Sequence, residues 1–183
     1  MNDLAHPSRR QSWQLDAALI VDAVFQADGR PRPWAMLPTS TWRDLATILD
    51  ERYDRIGFSF YPADGEFALS GIARALELSA PEAMPGAVVN GERYDLQVCE
   101  FNAYTAYLLG LTDCNDWHST DGELRSDDLC FFRDGRIELI AQPWRSMLHF
   151  FAVDASFLQQ IEAANPRFKG AVFVIENGRF RGI

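Results

Sequence analysis

The amino-acid sequence predicts an α+β fold, with a mainly antiparallel sheet of about six or seven strands and three or four helices packed on it. Two dipeptides, Asp134-Gly135 and Asn177-Gly178, lie between strand-like runs, and such pairs are the strongest short-range signal of a β-hairpin. Most apolar stretches alternate with polar residues at the period of a strand, and fewer recur at helical spacing. Residues 1–12 are predicted to form a disordered tail and residues 13–183 a single domain.

Apolar periodicity assigns the elements in the first part of the chain. The run Ala18–Val21 favours a buried strand, although a helical spacing is also present there. After it come, in order, a helix from Thr41 to about Tyr53, a strand over Ile56–Tyr61, a helix marked by Leu69 and Leu76, a loop over 79–92, a strand over Tyr94–Val98 and a helix from about Asn102 to Leu109. Thr41 and Asp44 resemble a capping box, and Gly110 is predicted to end the last of these helices.

The stretch 127–153 carries the clearest strand signals. Leu129–Arg133 and Arg136–Ile140 flank Asp134-Gly135, which suits a type I′ turn because this turn needs positive φ at both central positions. Ser146–Val153 is apolar on both faces, as expected of an interior strand. The stretch therefore predicts a three-stranded meander.

The two-residue turn also predicts how the hairpin is paired. It sets Phe132 opposite Ile137, on the same face as Cys130 and Leu139, and this apolar face is expected to meet the core. Phe131 then lies opposite Glu138 on a mixed face that would be covered only in part.

The C-terminal part is predicted as a helix followed by a hairpin. Asp154 is expected to cap a helix that Asn165-Pro166 ends. A strand over Gly170–Glu176 then turns at Asn177-Gly178, which places Glu176 opposite Arg179.

Composition limits the classes of function. The chain of 183 residues has a net charge of −9, which argues against nucleic acid as a partner because phosphate contact needs basic patches. No apolar run approaches the length of a membrane span, so a membrane is not expected either. The three cysteines show no CxxC spacing, which favours reduced thiols and a cytoplasmic protein.

One segment stands out by its charge, and Leu111–Asp128 is called the acidic segment below. It holds six acidic residues against Arg125 alone, a net charge of −5 out of the chain's −9. Its acids are Asp113, Asp116, Asp121, Glu123, Asp127 and Asp128, and it also holds Cys114, Trp117 and His118. A connection this long inside a compact domain is usually functional or disordered.

The acidic segment is open to four interpretations. A calcium loop fails, because Trp117 and His118 stand where an acid and a glycine are required. A transition-metal site would use Cys114, His118 and Asp113, but the sequence provides no complete ligand set. A partner-binding surface fits acids around an aromatic anchor, and a plain solvated segment fits equally well.

Catalysis is the alternative to binding. The sequence contains no dinucleotide-binding glycine motif, no P-loop, no nucleophile elbow and no zincin motif, and nothing in it implies a cofactor. A small hydrolytic enzyme would use His118, His149 and Asp116 as its catalytic groups. A histidine in a strand, such as His149, is more often a core residue with one satisfying hydrogen bond.

The favoured interpretation is a non-catalytic protein that binds a basic protein partner, with a subunit of a larger assembly as a further alternative. Its partner-binding residues would be Asp113, Asp116, Trp117, His118, Asp121 and Glu123. The small, acidic, cytoplasmic profile resembles the bacterial immunity proteins, which block toxins by binding them, in type and not in motif. This resemblance implies inhibition of a toxin or enzyme as the most concrete form of the function.

Overall fold

The structure is a computed structural model that describes residues 13–21, 27, 40–62, 82–89, 92–111, 124–142 and 147–183. For residues 58–62, 82–89, 92–97, 124–128 and 142 it describes the backbone alone. The predicted tail, the predicted helix marked by Leu69 and Leu76, and most of the acidic segment lie outside the described residues.

The described part of the chain forms one antiparallel sheet and three α-helices. The strands are β1 Leu15–Ile20, β2 Arg55–Pro62, β3 Glu82–Val89, β4 Glu92–Glu100, β5 Leu124–Arg133, β6 Arg136–Gln142, β7 Met147–Val153, β8 Val172–Glu176 and β9 Arg179–Gly182. The helices are α1 Thr41–Arg52, α2 Ala103–Leu111 and α3 Ala155–Ala164, and a short 3-10 helix spans Pro166–Phe168.

The sheet order is β3-β4-β2-β5-β6-β7-β1-β8-β9. This confirms a single α+β domain with a mainly antiparallel sheet, and the nine described strands exceed the six or seven predicted. The meander β5-β6-β7 is confirmed, as is the strand in the first apolar run, where β1 pairs between β7 and β8.

Both predicted hairpin turns are confirmed by their backbone angles. Asp134 and Gly135 have φ of 50° and 72°, and Asn177 and Gly178 have φ of 51° and 74°. Positive φ at both central residues is the signature of a type I′ turn. The second hairpin also shows the predicted pairing of Glu176 with Arg179.

The prediction of a loop over 79–92 is wrong, because β3 occupies most of it. β3 pairs antiparallel with β4, from Glu82 opposite Val98 to Val89 opposite Glu92. Pro85 is tolerated since β3 is the first strand in the sheet order, and the register shifts between Pro85 and Val88. A proline at a sheet edge or bulge removes no hydrogen bond that an inner strand would need.

The predicted pairing of the β5–β6 hairpin is correct only next to its turn. Phe132 does pair with Ile137, but Phe131 pairs with Leu139, so Glu138 is the extra residue of a β-bulge. The main core therefore receives Phe131, and the expectation that the face of Phe132 and Cys130 meets it is wrong. These two residues lie in a smaller cluster, on the other side of the sheet by strand alternation.

All three helices bury apolar side chains in the same core. α1 contributes Trp42, Leu45 and Leu49, and these pack with sheet residues such as Phe131 and Phe150. α2 and α3 add to the same cluster the residues Ala106, Leu109, Phe157, Leu158 and Ile161. Among the described residues, no helix is long and apolar enough to cross a membrane.

The helix starts are partly as predicted. Asp154 caps α3, since its Oδ1 accepts a hydrogen bond from the Phe157 amide at 2.8 Å. The capping box of Thr41 and Asp44 is wrong, because Ser40 is the N-cap of α1 and makes no side-chain cap hydrogen bond. Asp44 instead accepts a hydrogen bond from Asn165 Nδ2 at 2.6 Å, which ties the start of α1 to the end of α3.

Candidate functional site

Helix α2 is fixed at its start by a reciprocal cap. The Asn102 side chain accepts hydrogen bonds from the amides of Tyr104 and Thr105, at 3.0 and 3.2 Å. In return, Thr105 Oγ1 accepts a hydrogen bond from the Asn102 amide at 2.7 Å. Two otherwise unsatisfied amides of the first turn are paired in this way, so the helix has a defined beginning.

Its inner side packs closely on α1. Gly110 was predicted to end the helix, but it lies within α2 and is buried, and the helix continues to Leu111. A Cβ at Gly110 would lie 3.4 Å from the Arg43 Cα and 3.8 Å from the Ala46 Cβ, so the two helices approach closely at this position. Ala106 and Leu109 complete the inner side within the core.

Its outer side is apolar and exposed. Tyr104, Tyr107 and Leu111 have exposed fractions of 64%, 62% and 62%. Residues three and seven apart lie on one face of a helix, so these side chains form one stripe, called the outer face of α2 below. None of the nine residues of α2 is charged. Exposed apolar residues in a group, unlike single ones, mark interaction sites.

The acidic segment begins at the end of this face. Leu111 is both the last residue of α2 and the first of the acidic segment, and β5 takes up the chain again at Leu124. The predicted boundary at Asp128 is therefore too late, and Asp127 and Asp128 belong to β5. The predicted partner-binding residues Asp113, Asp116, Trp117, His118, Asp121 and Glu123 lie outside the described residues.

Negative charge also lies at the other end of α2. Asp54 is exposed, and its carbonyl accepts a hydrogen bond from the Phe101 amide at 2.8 Å, directly before the helix. Glu100, the residue before Phe101, is also exposed, and Arg55 lies opposite Glu100 on the neighbouring strand. Arg43 lies beside Gly110 at the opposite end of α2, and it is one positive charge against the four acids of residues 112–123.

His149, the described member of the predicted catalytic set, lies in β7 and is half-buried. It pairs with Ile140 on one side and Ala18 on the other, and its ring lies 4.1 Å from that of Phe151. Burial lowers the pKa of His149 below its ordinary value, and the Asp16 carboxylate offsets part of this effect. These surroundings fit a histidine that contributes to packing.

An irregularity in β7 adjoins this histidine. Ala152 has φ of 52°, an uncommon angle for a residue with a side chain, and the β1–β7 register shifts opposite it. The Ala152 amide donates a hydrogen bond to Asp16 Oδ1 at 3.0 Å, which supports the irregular backbone. The Asp16 carboxylate, which raises the pKa of His149, therefore also has a structural hydrogen bond.

The structure describes none of the other predicted catalytic and metal-binding residues. His118 and Asp116, and the metal ligands Cys114 and Asp113, lie outside the described residues. Within the described ranges, no group of three or more His, Cys, Asp and Glu side chains could hold a metal ion. The described cysteines, Cys99 and Cys130, are buried and form no disulfide.

A cluster of charged side chains surrounds Arg52 at the end of α1. Its guanidinium contacts the carboxylates of Glu138, at 2.8 Å, and Asp154, at 3.4 Å, and lies 4.1 Å from the centre of the Phe157 ring. A shallow depression of about 200 Å³ opens beside it. Because Arg52 is paired on both sides, the cluster joins α1, the β6 bulge and the cap of α3.

Comparison with protein-family models, curated proteins and solved structures finds no match to this chain. The candidate site therefore rests on geometry and chemistry alone.

The outer face of α2 was missed by the sequence analysis. A helix without charged residues is usually buried on all sides. The sequence therefore predicted α2 as a short helix and gave no reason to expect an exposed face. Its spacing does hold a signal, since the small residues Ala106 and Gly110 occupy one side while Tyr104, Tyr107 and Leu111 share another.

Proposed function

We propose that this chain is a non-catalytic, acidic binding protein that engages a basic protein partner in the cytoplasm. Inhibition of a toxin or an enzyme, as by an immunity protein, is the most concrete form of this function. The observation that supports the proposal is that the acidic segment follows directly in the chain from the exposed end of α2, whose last residue is Leu111.

The two ends of the connection are held by the core. α2 packs on α1 through Gly110, and β5 lies in the sheet between β2 and β6. Loops that a rigid scaffold positions are where binding residues are most often found. The connection that carries the acidic residues is therefore attached to the domain at two fixed points.

The charge of the segment suits association with a basic surface. Its part between α2 and β5, residues 112–123, holds four acids and neither lysine nor arginine, a net charge of −4 out of the chain's −9. A local field of one sign steers an oppositely charged partner and raises the association rate at low salt. Once the partner has docked, an aromatic anchor such as Trp117 would slow dissociation.

The experiment begins with capture of partners by the immobilised chain from a lysate of its source cell at low salt. The protein that elutes with salt is identified, purified and used as the probe in binding kinetics at two ionic strengths. Asp116→Asn with Asp121→Asn removes two charges from the acidic segment. Asp134→Asn with Glu176→Gln removes two exposed charges from the hairpin ends and is the matched control.

The variant in the acidic segment should associate more slowly and with a weaker salt dependence than wild type, while the control stays close to wild type. Equal rates and equal salt dependence for the two variants would contradict the proposal.

A further inference from the structure

We propose that the outer face of α2 is the anchor that docks into an apolar groove on the basic partner, a groove bordered by lysine and arginine. This inference rests on the proposed function, because the charge of the border follows from the acidic segment. It assigns a binding role to Tyr104, Tyr107 and Leu111, residues outside the predicted partner-binding set.

The spacing of the three side chains suits a groove. Successive residues of a helix are about 100° apart, so Tyr104 and Leu111 point in nearly the same direction and Tyr107 lies beside them. The stripe is about 10 Å long, from a rise of about 1.5 Å per residue. Helices that dock into grooves present anchors at positions i, i+3, i+4 and i+7.

The helix is already shaped for docking before a partner arrives. The Asn102–Thr105 cap fixes its start, and the contact of Gly110 with Arg43 fixes its inner side. Little conformational freedom remains to be lost in the backbone on binding, which favours affinity. Tyrosine side chains have few rotatable bonds, so they too supply contact area at low entropic cost.

Charge complementarity determines what surrounds the groove. At one end of the outer face the chain enters the acidic segment, and at the other Asp54 and Glu100 are exposed. If the apolar surface of the partner were bordered by acidic residues, the negative charges at both ends of the outer face would repel it. A groove bordered by lysine and arginine instead places opposite charges at the rim and apolar groups at the centre, the usual arrangement of an interface.

The test uses the purified captured protein as the probe, and compares the full chain with two variants. Tyr104→Ala with Tyr107→Ala and Leu111→Ala truncates the outer face, and alanine preserves the helix because it has the highest helix propensity. Trp13→Ala with Ile183→Ala truncates two apolar residues that are exposed elsewhere, at 54% and 58%, and is the matched control. Circular dichroism of each variant verifies its helix content.

The outer-face variant should dissociate at least about tenfold faster than wild type, because buried aromatic anchors dominate interface energies and act on dissociation. Its salt dependence should match that of wild type, since it keeps every charge. The control should dissociate at the wild-type rate.

Three outcomes would overturn this inference, and they separate it from the proposed function. If the outer-face variant binds like wild type while the acidic-segment variant loses salt dependence, the function stands and the anchor lies elsewhere. If the control is weakened as much as the outer-face variant, the loss reflects general apolar truncation. If the immobilised chain retains no protein that salt elutes, both proposals fail together.

Discussion

Helices α2 and α3 are nearly equal in length and pack into the same core, yet their outer sides differ. α3 buries Phe157, Leu158 and Ile161, and its exposed positions include Ser156, Gln159 and Gln160. α2 buries Ala106 and Leu109, but presents two tyrosines and a leucine to solvent.

The difference separates residues that folding explains from residues that it does not. An amphipathic helix needs one apolar side for the core and one polar side for water, and α3 has both. The inner side of α2 packs in the core, whereas the apolar side chains of its outer side are not buried by the described part of the domain. A binding partner would give that side the burial that the domain does not.

The largest effect is expected from the inner sides, where the two helices should behave alike. Leu109→Ala in α2 and Leu158→Ala in α3 each remove a side chain that is almost wholly buried. Each should lower the free energy of unfolding by about 2–5 kcal/mol, since truncation leaves a cavity in the core. Urea denaturation measures both, and a cost below about 1 kcal/mol for Leu109→Ala would show that α2 is not packed as described.

The close approach of α2 to α1 gives the next effect. Gly110→Leu inserts a side chain where Arg43 Cα lies 3.4 Å from the Cβ position, so it should destabilise the domain by about 1–3 kcal/mol. Gly110→Ala is the control. Its methyl group would make van der Waals contacts with Arg43 and Ala46, and the gain in helix propensity of about 1 kcal/mol should leave the domain at least as stable as wild type. Equal stabilities for the two variants would contradict the packing of the helices.

The caps of the two helices should respond differently to acid. The pKa of Asp154 is lowered to about 2, mainly by the hydrogen bond from Ser156, with further contributions from the Phe157 amide and Arg52 against the opposing effect of burial. A lowered folded-state pKa stabilises the domain above the ordinary value near 3.8, and this contribution is lost as the pH falls through about 2. α2 is capped by Asn102, which does not ionise.

Asp154→Asn keeps a good capping residue while removing the charge. The difference in unfolding free energy between wild type and Asp154→Asn should shrink as the pH is lowered from about 5 to about 2. Denaturation at several pH values measures that difference. A constant difference would mean that Asp154 is not held in its ionised form by the fold.

The sequence predicted what local chemistry determines. Turn dipeptides identified both hairpins, and Asp154 identified the start of α3, because each signal depends on residues close together in the chain. The pairing of β6 could not be predicted in this way, since the bulge at Glu138 brings its carboxylate to Arg52, 86 positions earlier in the sequence. The prediction that Gly110 ends α2 failed for the same reason, because its packing against α1 depends on residues distant in the sequence.

The binding residues that the sequence predicts lie outside the described residues, so their role stays a prediction. The acidic segment was found from its charge, but its boundary was set too late because the strand character of Leu124–Asp128 is masked by charged residues. The outer face of α2 could be identified only from the structure, because periodicity alone does not show which of two apolar sides of a helix meets the core.

The smallest effect on stability is expected from the outer face itself. Tyr104→Ala and Tyr107→Ala should each change the free energy of unfolding by no more than about 0.5 kcal/mol, as exposed positions do. The contrast with Leu109→Ala, in the same helix, is measured by the same urea denaturation. A cost of about 2 kcal/mol or more for either tyrosine would show that it belongs to the core of the domain.

The most direct measurement of the docking role is hydroxyl-radical footprinting of the unmodified chain, read residue by residue by mass spectrometry. In the free protein, Tyr104 and Tyr107 should be oxidised readily, while Tyr53, only 2% exposed, should resist. Addition of the purified captured partner should protect Tyr104, Tyr107 and Leu111 and leave exposed Trp13 as reactive as before. Unchanged oxidation of the two tyrosines in the complex would show that the outer face of α2 is not where the partner docks.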